Sequence, residues 1–344
     1  MQTGENILVI QTAFLGDAIL TLPMIQELKK KISDYRLDVL AIPSTERIFS
    51  SSPFVDEVIV IDKSVKHKSI RGLNNFIKEL RKKSYSKIYS PHRSLRSAYI
   101  TIRLEVKETY GFDNSNLKYA YKNIIKYKQT DHEVQRNLEL IGENTEDKNW
   151  KILPEITIDE TEKEKVRDFL LSNKIEAEFI AIAPGSVWET KRYPKEYFSE
   201  FIKSLVAKNE MVLLIGGEND KSLCNEIVYN LNDKVKNLAG KFSVTETIHL
   251  LKSAKLLITN DSAPTHMGMC ADIPVLTIYC STVPEFGFYP YNNKSRYLSY
   301  DKIDCKPCGI HGYRECPVKS FGCGYKLLPE DILIEVEKVL IENE

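Results

Sequence analysis

Five places in the chain hold side chains whose types and spacing could do chemistry. The first is Gly16-Asp17 in "QTAFLGDAILTLP", residues 11–23, just past the apolar run "ILVI". A carboxylate there can take a proton from a hydroxyl or can cap the following helix, and the residues alone leave both readings open. Gly16 lets a ligand approach the backbone. Pro23 lacks an amide hydrogen, which costs stability inside a helix, and such a broken local rule beside a strand end is often found at a site. The second place is "APGSVWETKRYP", residues 183–194, where Ser186, Lys191 and Arg192 follow a strand. Cations beside a glycine turn suit a diphosphate, although an ordinary strand-to-helix loop has the same composition. The third is "LLIGGENDKS", residues 213–222, in which Asp220 could hold ribose hydroxyls or, like Asn219, cap the next helix. The fourth is "LLITNDSAPTHMGM", residues 256–269. Asp261 and Ser262 end a strand and open a helix, whose first amides and positive end suit an anion, and His266 shares a face with Ser262. His266 reads equally as a satisfied core histidine. The fifth is Cys305, Cys308, Cys316 and Cys323, with His311 between them. The C-x2-C pair and later thiols could hold a structural zinc ion, but the spacing of the second pair is unlike a zinc ribbon, and free thiols fit as well.

Absent motifs narrow the chemistry. There is no G-x-G-x-x-G after a strand, no P-loop and no D-x-D for a metal-held nucleotide sugar. If a diphosphate binds, Lys191, Arg192 and a helix terminus must carry its charge.

The elements that would position these residues are visible in the hydrophobic pattern. "ILVIQT", "LDVLAI", "EVIVID" and "SKIYS" in the first half, and "FIAIAPGS", "MVLLIGGE", "VKNLAG", "KLLITND" and "PVLTIYCS" in the second, are short apolar runs separated by helical periods. Such runs mark buried parallel strands in βαβ units. The length of 344 residues suits two such domains. The expected class is therefore α/β, with two doubly wound Rossmann-like domains at 1–160 and 161–328 and a terminal helix at 329–344 that packs back on the first domain. Ligands in such sheets sit outside the carboxyl ends of the strands, where the candidate residues fall.

Net charge is zero, but residues 63–128 carry 17 Lys or Arg against 4 Asp or Glu. That block suits an anionic partner, or else a solvated lysine-rich face. No nucleic-acid-binding motif accompanies it. No signal-peptide layout or membrane-spanning run is evident, and seven cysteines in a chain this long do not suggest a disulfide scaffold, so a reducing cytoplasmic location is expected.

Taken in order, "QTAFLGDAILTLP", "PHRSLRSAYI" with "YGFD", "PGSVWETKRYP", "IGGENDKS", "NDSAPTHMGMCADIPVLTIYCST" and the cysteine loop before "LLPEDI" resemble glycosyltransferase family 9, the lipopolysaccharide heptosyltransferases. The resemblance implies a GT-B fold, with an acceptor-binding N-terminal domain and a nucleotide-sugar-binding C-terminal domain facing across a cleft. It implies inverting, metal-independent transfer of heptose from ADP-heptose to an anionic glycolipid at the inner face of the cytoplasmic membrane, with no cofactor and no nucleic acid. It casts Asp17 as general base and Gly16, His92, Arg93 and Arg96 as acceptor-binding residues. Ser186, Lys191, Arg192, Asp220, Asp261, Ser262, Ala263 and His266 would bind the donor. Ala263-Pro264 stands where many members have Gly-Leu. Other readings are a family member with another donor or acceptor, a GT-B sugar-nucleotide epimerase, and a non-catalytic anion binder.

Overall fold

The computed structural model describes residues 6–32, 34–145, 148–175 and 178–343. The chain divides into two compact units, Met1–Thr157 and Ile158–Glu344. The boundary lies three residues before the expected one, within a stretch at 151–159 that has no regular structure.

The first unit contains strands β1 (Asn6–Ile10), β2 (Arg36–Ala41), β3 (Glu57–Val60), β4 (Tyr85–Ser90), β5 (Glu108–Phe112) and β6 (Asn123–Ile125). They form one parallel sheet in the order β3-β2-β1-β4-β5-β6. Its helices are α1 (Leu15–Lys31), α2 (Glu46–Ser50), α3 (Ile70–Arg81), α4 (Leu95–Leu104) and α5 (Glu133–Leu140). The second unit repeats the plan with β7 (Phe179–Ala183), β8 (Val212–Leu214), β9 (Val235–Asn237), β10 (Ala254–Asn260), β11 (Val275–Tyr279) and β12 (Arg296–Ser299). Here the order is β12-β11-β10-β7-β8-β9, again parallel throughout. Its helices are α6 (Glu160–Ser172), α7 (Lys195–Ala207), α8 (Lys221–Val228), α9 (Val244–Leu251), α10 (Ala263–Ala271), α11 (Gly322–Tyr325) and α12 (Pro329–Asn343).

Both sheets are Rossmann sheets, and each reverses direction next to its first strand. That reversal opens a crevice at the carboxyl ends of β1 and β4 in one unit and of β7 and β10 in the other. The first strand of each sheet is a near-continuous apolar run, as burial on both faces requires: Ile7 to Ile10 and Phe179 to Ile182 have no exposed surface.

Helix α12 was expected to pack on the first domain. Instead its apolar face, Ile332, Val336 and Val339, is part of the second unit's core. The helix packs on α7 and against β10, β11 and β12, so those strands supply the cover that the face needed. No helix among the described residues is long and apolar enough to cross a membrane.

Candidate active site

In the first unit the crevice is lined by the turn from β1 into α1 and by the segment after β4. Helix α1 begins at Leu15, and Asp17 lies in its first turn rather than at the capping position, which Phe14 occupies without a side-chain bond. The capping role left open by the sequence is therefore not the one Asp17 plays. Burial, and then the charge of Glu133, push its carboxyl up from 3.8 to about 6, against a smaller pull down from backbone amides and Arg93. It is a stronger base than an ordinary carboxylate of pKa about 3.9. Gly16 sits half-buried in the same turn.

Pro23 lies inside α1, and the helix continues through it. Pro23 leaves the Ile19 carbonyl without its helical donor, and the next carbonyl along, Leu20, receives a bond from outside the helix, from Asn137 Nδ2 on α5 at 3.0 Å. Residues 18–26 of α1 are all buried, so packing holds this helix where its own ladder is broken.

After β4, His92 is fixed through Nδ1, which pairs with Thr12 Oγ1 at 2.8 Å and Ser97 Oγ at 2.9 Å. Burial, with Lys63 and Arg93 nearby, lowers its pKa to about 4, so the ring is neutral at pH 7. Arg93 lies over the Tyr127 ring at 4.1 Å, and Arg96 donates to the His67 carbonyl at 3.0 Å. The expected acceptor residues thus gather at the ends of β1 and β4.

Four residues at this end of the sheet were not singled out from sequence. Lys63, just past β3, donates from Nζ to the Thr12 carbonyl at 2.5 Å, and burial followed by Arg96 lowers its pKa to about 8. The strand-end rule that found the other sites would have found it. Glu133, Arg136 and Tyr127 form a buried network: Arg136 pairs with Glu133 at 2.8 Å, and Tyr127 donates to Glu133 at 3.0 Å. The Tyr127 ring also lies 4.5 Å from the Arg136 guanidinium carbon. Only folding brings α5 against α1, so no local signal marked Glu133 as a neighbour of Asp17.

In the second unit the crevice is formed by the loops after β7 and β10. Asn260 joins them: its Oδ1 accepts from the Tyr193 amide at 2.9 Å and its Nδ2 donates to the Pro184 carbonyl at 2.7 Å. Across this junction Lys191 Nζ pairs with Asp261 Oδ2 at 2.6 Å, and Thr282 donates to the same oxygen at 2.7 Å. Both charged side chains are nearly buried, at 13% and 10% exposure, so the pair is little screened. Ser262 occupies the N-cap of α10 without capping it. Its hydroxyl turns back toward the Gly185 and Asn260 carbonyls, and the helix opens with Ala263 and Pro264. His266, in the first turn, is 4% exposed, and burial lowers its pKa to about 4. Its Nδ1 finds no hydrogen-bond partner among the described residues, and neither does the buried Ser281 hydroxyl. A nearly buried lysine beside the positive, side-chain-uncapped end of a helix is an arrangement that suits an anion, and here the Asp261 carboxylate is the anion the lysine meets.

Three expected donor residues already have hydrogen-bond partners within the unit. Arg192 donates from Nε to the Ser186 carbonyl at 2.8 Å and pairs with Glu189, so it shapes the loop. The Ser186 hydroxyl accepts from the Trp188 amide at 3.4 Å. Asp220 lies against Gly185 and Gly216, where a Cβ would collide with its side chain, and accepts from the Gly217 amide at 2.9 Å. Its position at the start of α8 caps the preceding glycine turn instead of that helix.

The cysteine segment does not present a metal ligand set. Among the described residues no group of three or more His, Cys, Asp or Glu is arranged to hold a metal ion. Cys308 Sγ donates to the Cys305 carbonyl at 3.6 Å, and Cys316 Sγ accepts from the Phe321 amide at 3.3 Å. Burial, with smaller contributions from the neighbouring thiols, raises Cys323 to about 11, so it is a protonated thiol at neutral pH. All four are free.

Comparison with known proteins agrees with this architecture. Lipopolysaccharide heptosyltransferase 2 of Salmonella typhimurium is 25% identical, over 98% of this chain and 99% of its own. The structure of E. coli ADP-heptose lipopolysaccharide heptosyltransferase II superposes with a TM-score of 0.79 at 22% identity, over 98% of this chain and 99% of that one. A glycosyltransferase of family 9 from Veillonella parvula superposes with a TM-score of 0.82 at 23% identity, over 99% of both chains. The fold is of the GT-B type. The family model of glycosyltransferase family 9 (heptosyltransferase) matches residues 73–318, well over half of the chain, and the protein is therefore a glycosyltransferase belonging to that family.

Proposed function

We propose that the protein transfers a heptose from ADP-heptose to the inner core of lipopolysaccharide, inverting the anomeric centre, with Asp17 as general base and no metal ion needed for the transfer. The observation that carries the reading is the carboxylate of Asp17, raised to about 6 by its surroundings, at the topological switch point of the first unit. The names of the full-length relatives supply the sugar and the acceptor, and that of the E. coli structure supplies the nucleotide.

In such a transfer the acceptor hydroxyl gives its proton to Asp17 as its oxygen attacks the anomeric carbon. The bond from that carbon to the β-phosphate oxygen breaks, and ADP leaves from the opposite side. Lys191 and the positive end of α10, where the Ala263 amide precedes a proline that has none, neutralise the charge that collects on the departing diphosphate, the work a metal ion performs elsewhere. Asp261 holds Lys191 in place through the 2.6 Å contact. Lys63, Arg93 and Arg96 at the crevice of the first unit suit the phosphates and carboxylates of an anionic glycolipid. The basic surface around them favours peripheral attachment at the cytoplasmic face of the membrane.

Asp17→Asn tests the assignment. The variant should bind ADP as the parent does and transfer heptose 10²- to 10⁴-fold more slowly, the usual range for loss of a general base. Transfer is read as product mass on a heptose-free acceptor. Undiminished transfer by the variant rules Asp17 out as the base.

A further inference from the structure

The segment between β12 and α11, which carries Cys305, Cys308 and Cys316, touches both loops that frame the Lys191–Asp261 pair. At its tip Tyr313 and Thr190 are zipped together. The Thr190 amide donates to the Tyr313 carbonyl at 3.1 Å, the Thr190 hydroxyl donates to the same carbonyl at 3.1 Å, and the Tyr313 amide donates to the Thr190 hydroxyl at 2.8 Å. Beside this junction the His311 ring stacks on Trp188, with centroids 6.2 Å apart and planes within 19°. Nearer its base, the Cys308 amide donates to the Ser281 carbonyl at 2.8 Å, one residue before Thr282, which holds Asp261. Lys306 is 2% exposed at its side chain and donates to the Tyr279 carbonyl at 3.0 Å.

Gly312 fits into the angle between the two loops. A Cβ there would stand 2.9 Å from both Ser281 Oγ and Thr190 Oγ1 and 3.4 Å from Lys191 Cγ, and its φ of +77° is one that glycine adopts freely. Thr190 is 3% exposed and adjoins Lys191 in sequence, so its hydroxyl has the segment as its partner in place of water. The loop after β7 contains Pro184-Gly185-Ser186, and its regular backbone is the single 3-10 turn Glu189–Lys191 that holds Thr190 and Lys191.

We propose that this segment is a strut of the donor site, with Thr190 and Gly312 as positioning residues that hold Lys191 at the distance from Asp261 at which its ammonium meets the diphosphate. The proposal rests on the reading of Lys191 as a donor-binding residue. The strut ties the ammonium to the end of β11 by way of Tyr313, Gly312, Cys308 and Ser281, independently of the Asp261 carboxylate. Without it the cation keeps its partner but loses the fixed origin of its side chain, and binding of a rigid diphosphate weakens.

The test uses the full chain. Thr190→Val keeps the shape but removes both hydroxyl bonds. It should raise the ADP dissociation constant, measured by titration calorimetry, and the KM for ADP-heptose about tenfold, with kcat changed less than threefold. Thr190→Ser, which restores the hydroxyl, should return both to within about twofold of the parent, and Gly312→Ala should reproduce the loss. A merely structural role would lower the melting temperature while leaving the dissociation constant of the folded fraction unchanged, and that result overturns the strut. Lys191→Ala separates the two levels of the argument. If it abolishes ADP binding while Thr190→Val and Gly312→Ala bind as the parent does, the strut fails and the donor site stands. If Lys191→Ala itself binds ADP normally, the donor-site reading fails with it.

Discussion

Asp17 illustrates how one residue's surroundings set both its chemistry and its cost. Its folded pKa of about 6 lies above the 3.8 of an unperturbed aspartate, so the folded chain binds this proton more tightly than the unfolded chain does. The associated stability is present below about pH 4 and is lost as pH rises through about 6. At pH 8 the ionised carboxylate therefore weighs against folding, by up to about 3 kcal/mol for a shift of this size. Asp17→Asn should accordingly raise stability at pH 8 by about 1–3 kcal/mol, with the gain closing as the pH falls to about 4, as read from urea unfolding at each pH. If Asp17 is the base, kcat/KM of the parent enzyme should rise with pH through about 6 as its carboxyl ionises, and this limb should be absent from the residual activity of the variant. Equal stability of the two proteins across that range would mean that the carboxylate is not desolvated.

Elements rather than single residues explain why α1 can carry a proline six residues after Asp17. The helix is buried along its middle and is tied to α5 by the Asn137 bond to the Leu20 carbonyl, beside the Ile19 carbonyl that the proline leaves without a donor. Asn137→Ala should destabilise the protein by about 1–2 kcal/mol through loss of the buried side-chain bond that ties α5 to α1, seen as a shift in the denaturant midpoint without a change in slope. An unchanged midpoint would show that this bond adds nothing to the packing of the two helices. The same scale sets what could be read from sequence. Nine strands were legible as short apolar runs, among them the edge strands β3 and β9, although these are only partly buried. Strands β6 and β12 were not, since "NII" and "RYLS" hold too few consecutive apolar residues to stand out from their polar surroundings. In β5, "ETYGF", polar residues interrupt the run, although the strand is internal to its sheet. The strand-end rule located Asp17, Lys191 and Asp261, because loop chemistry after a strand is local. Glu133, the commitments of Arg192 and Asp220, and the grip of Tyr313 on Thr190 depend on contacts between distant segments, which no spacing reveals.

Over the whole molecule, two units with separate cores each carry one crevice at the reversal of a 3-2-1-4-5-6 sheet. Division of labour follows if the donor belongs to the second. Hydrogen exchange with and without ADP should show protection concentrated in the loops after β7, β10 and β11, with the segment around Tyr313 protected together with them. At a hundredfold excess over its dissociation constant ADP should add about 2.7 kcal/mol to the stability of the second unit. Protection appearing instead around Asp17 and Arg93 would reverse the assignment of donor and acceptor.

The unstructured stretch at 151–159 crosses no sheet ladder, and α12 completes the second core without help from the first. A splice at that stretch would therefore separate the chain into parts that each keep every strand of their own sheet. If the first unit holds the acceptor and the second the donor, exchange of first units at such a joint would change the glycolipid and keep the donor site, so a lineage could move to new acceptors by recombination rather than by remaking an enzyme residue by residue.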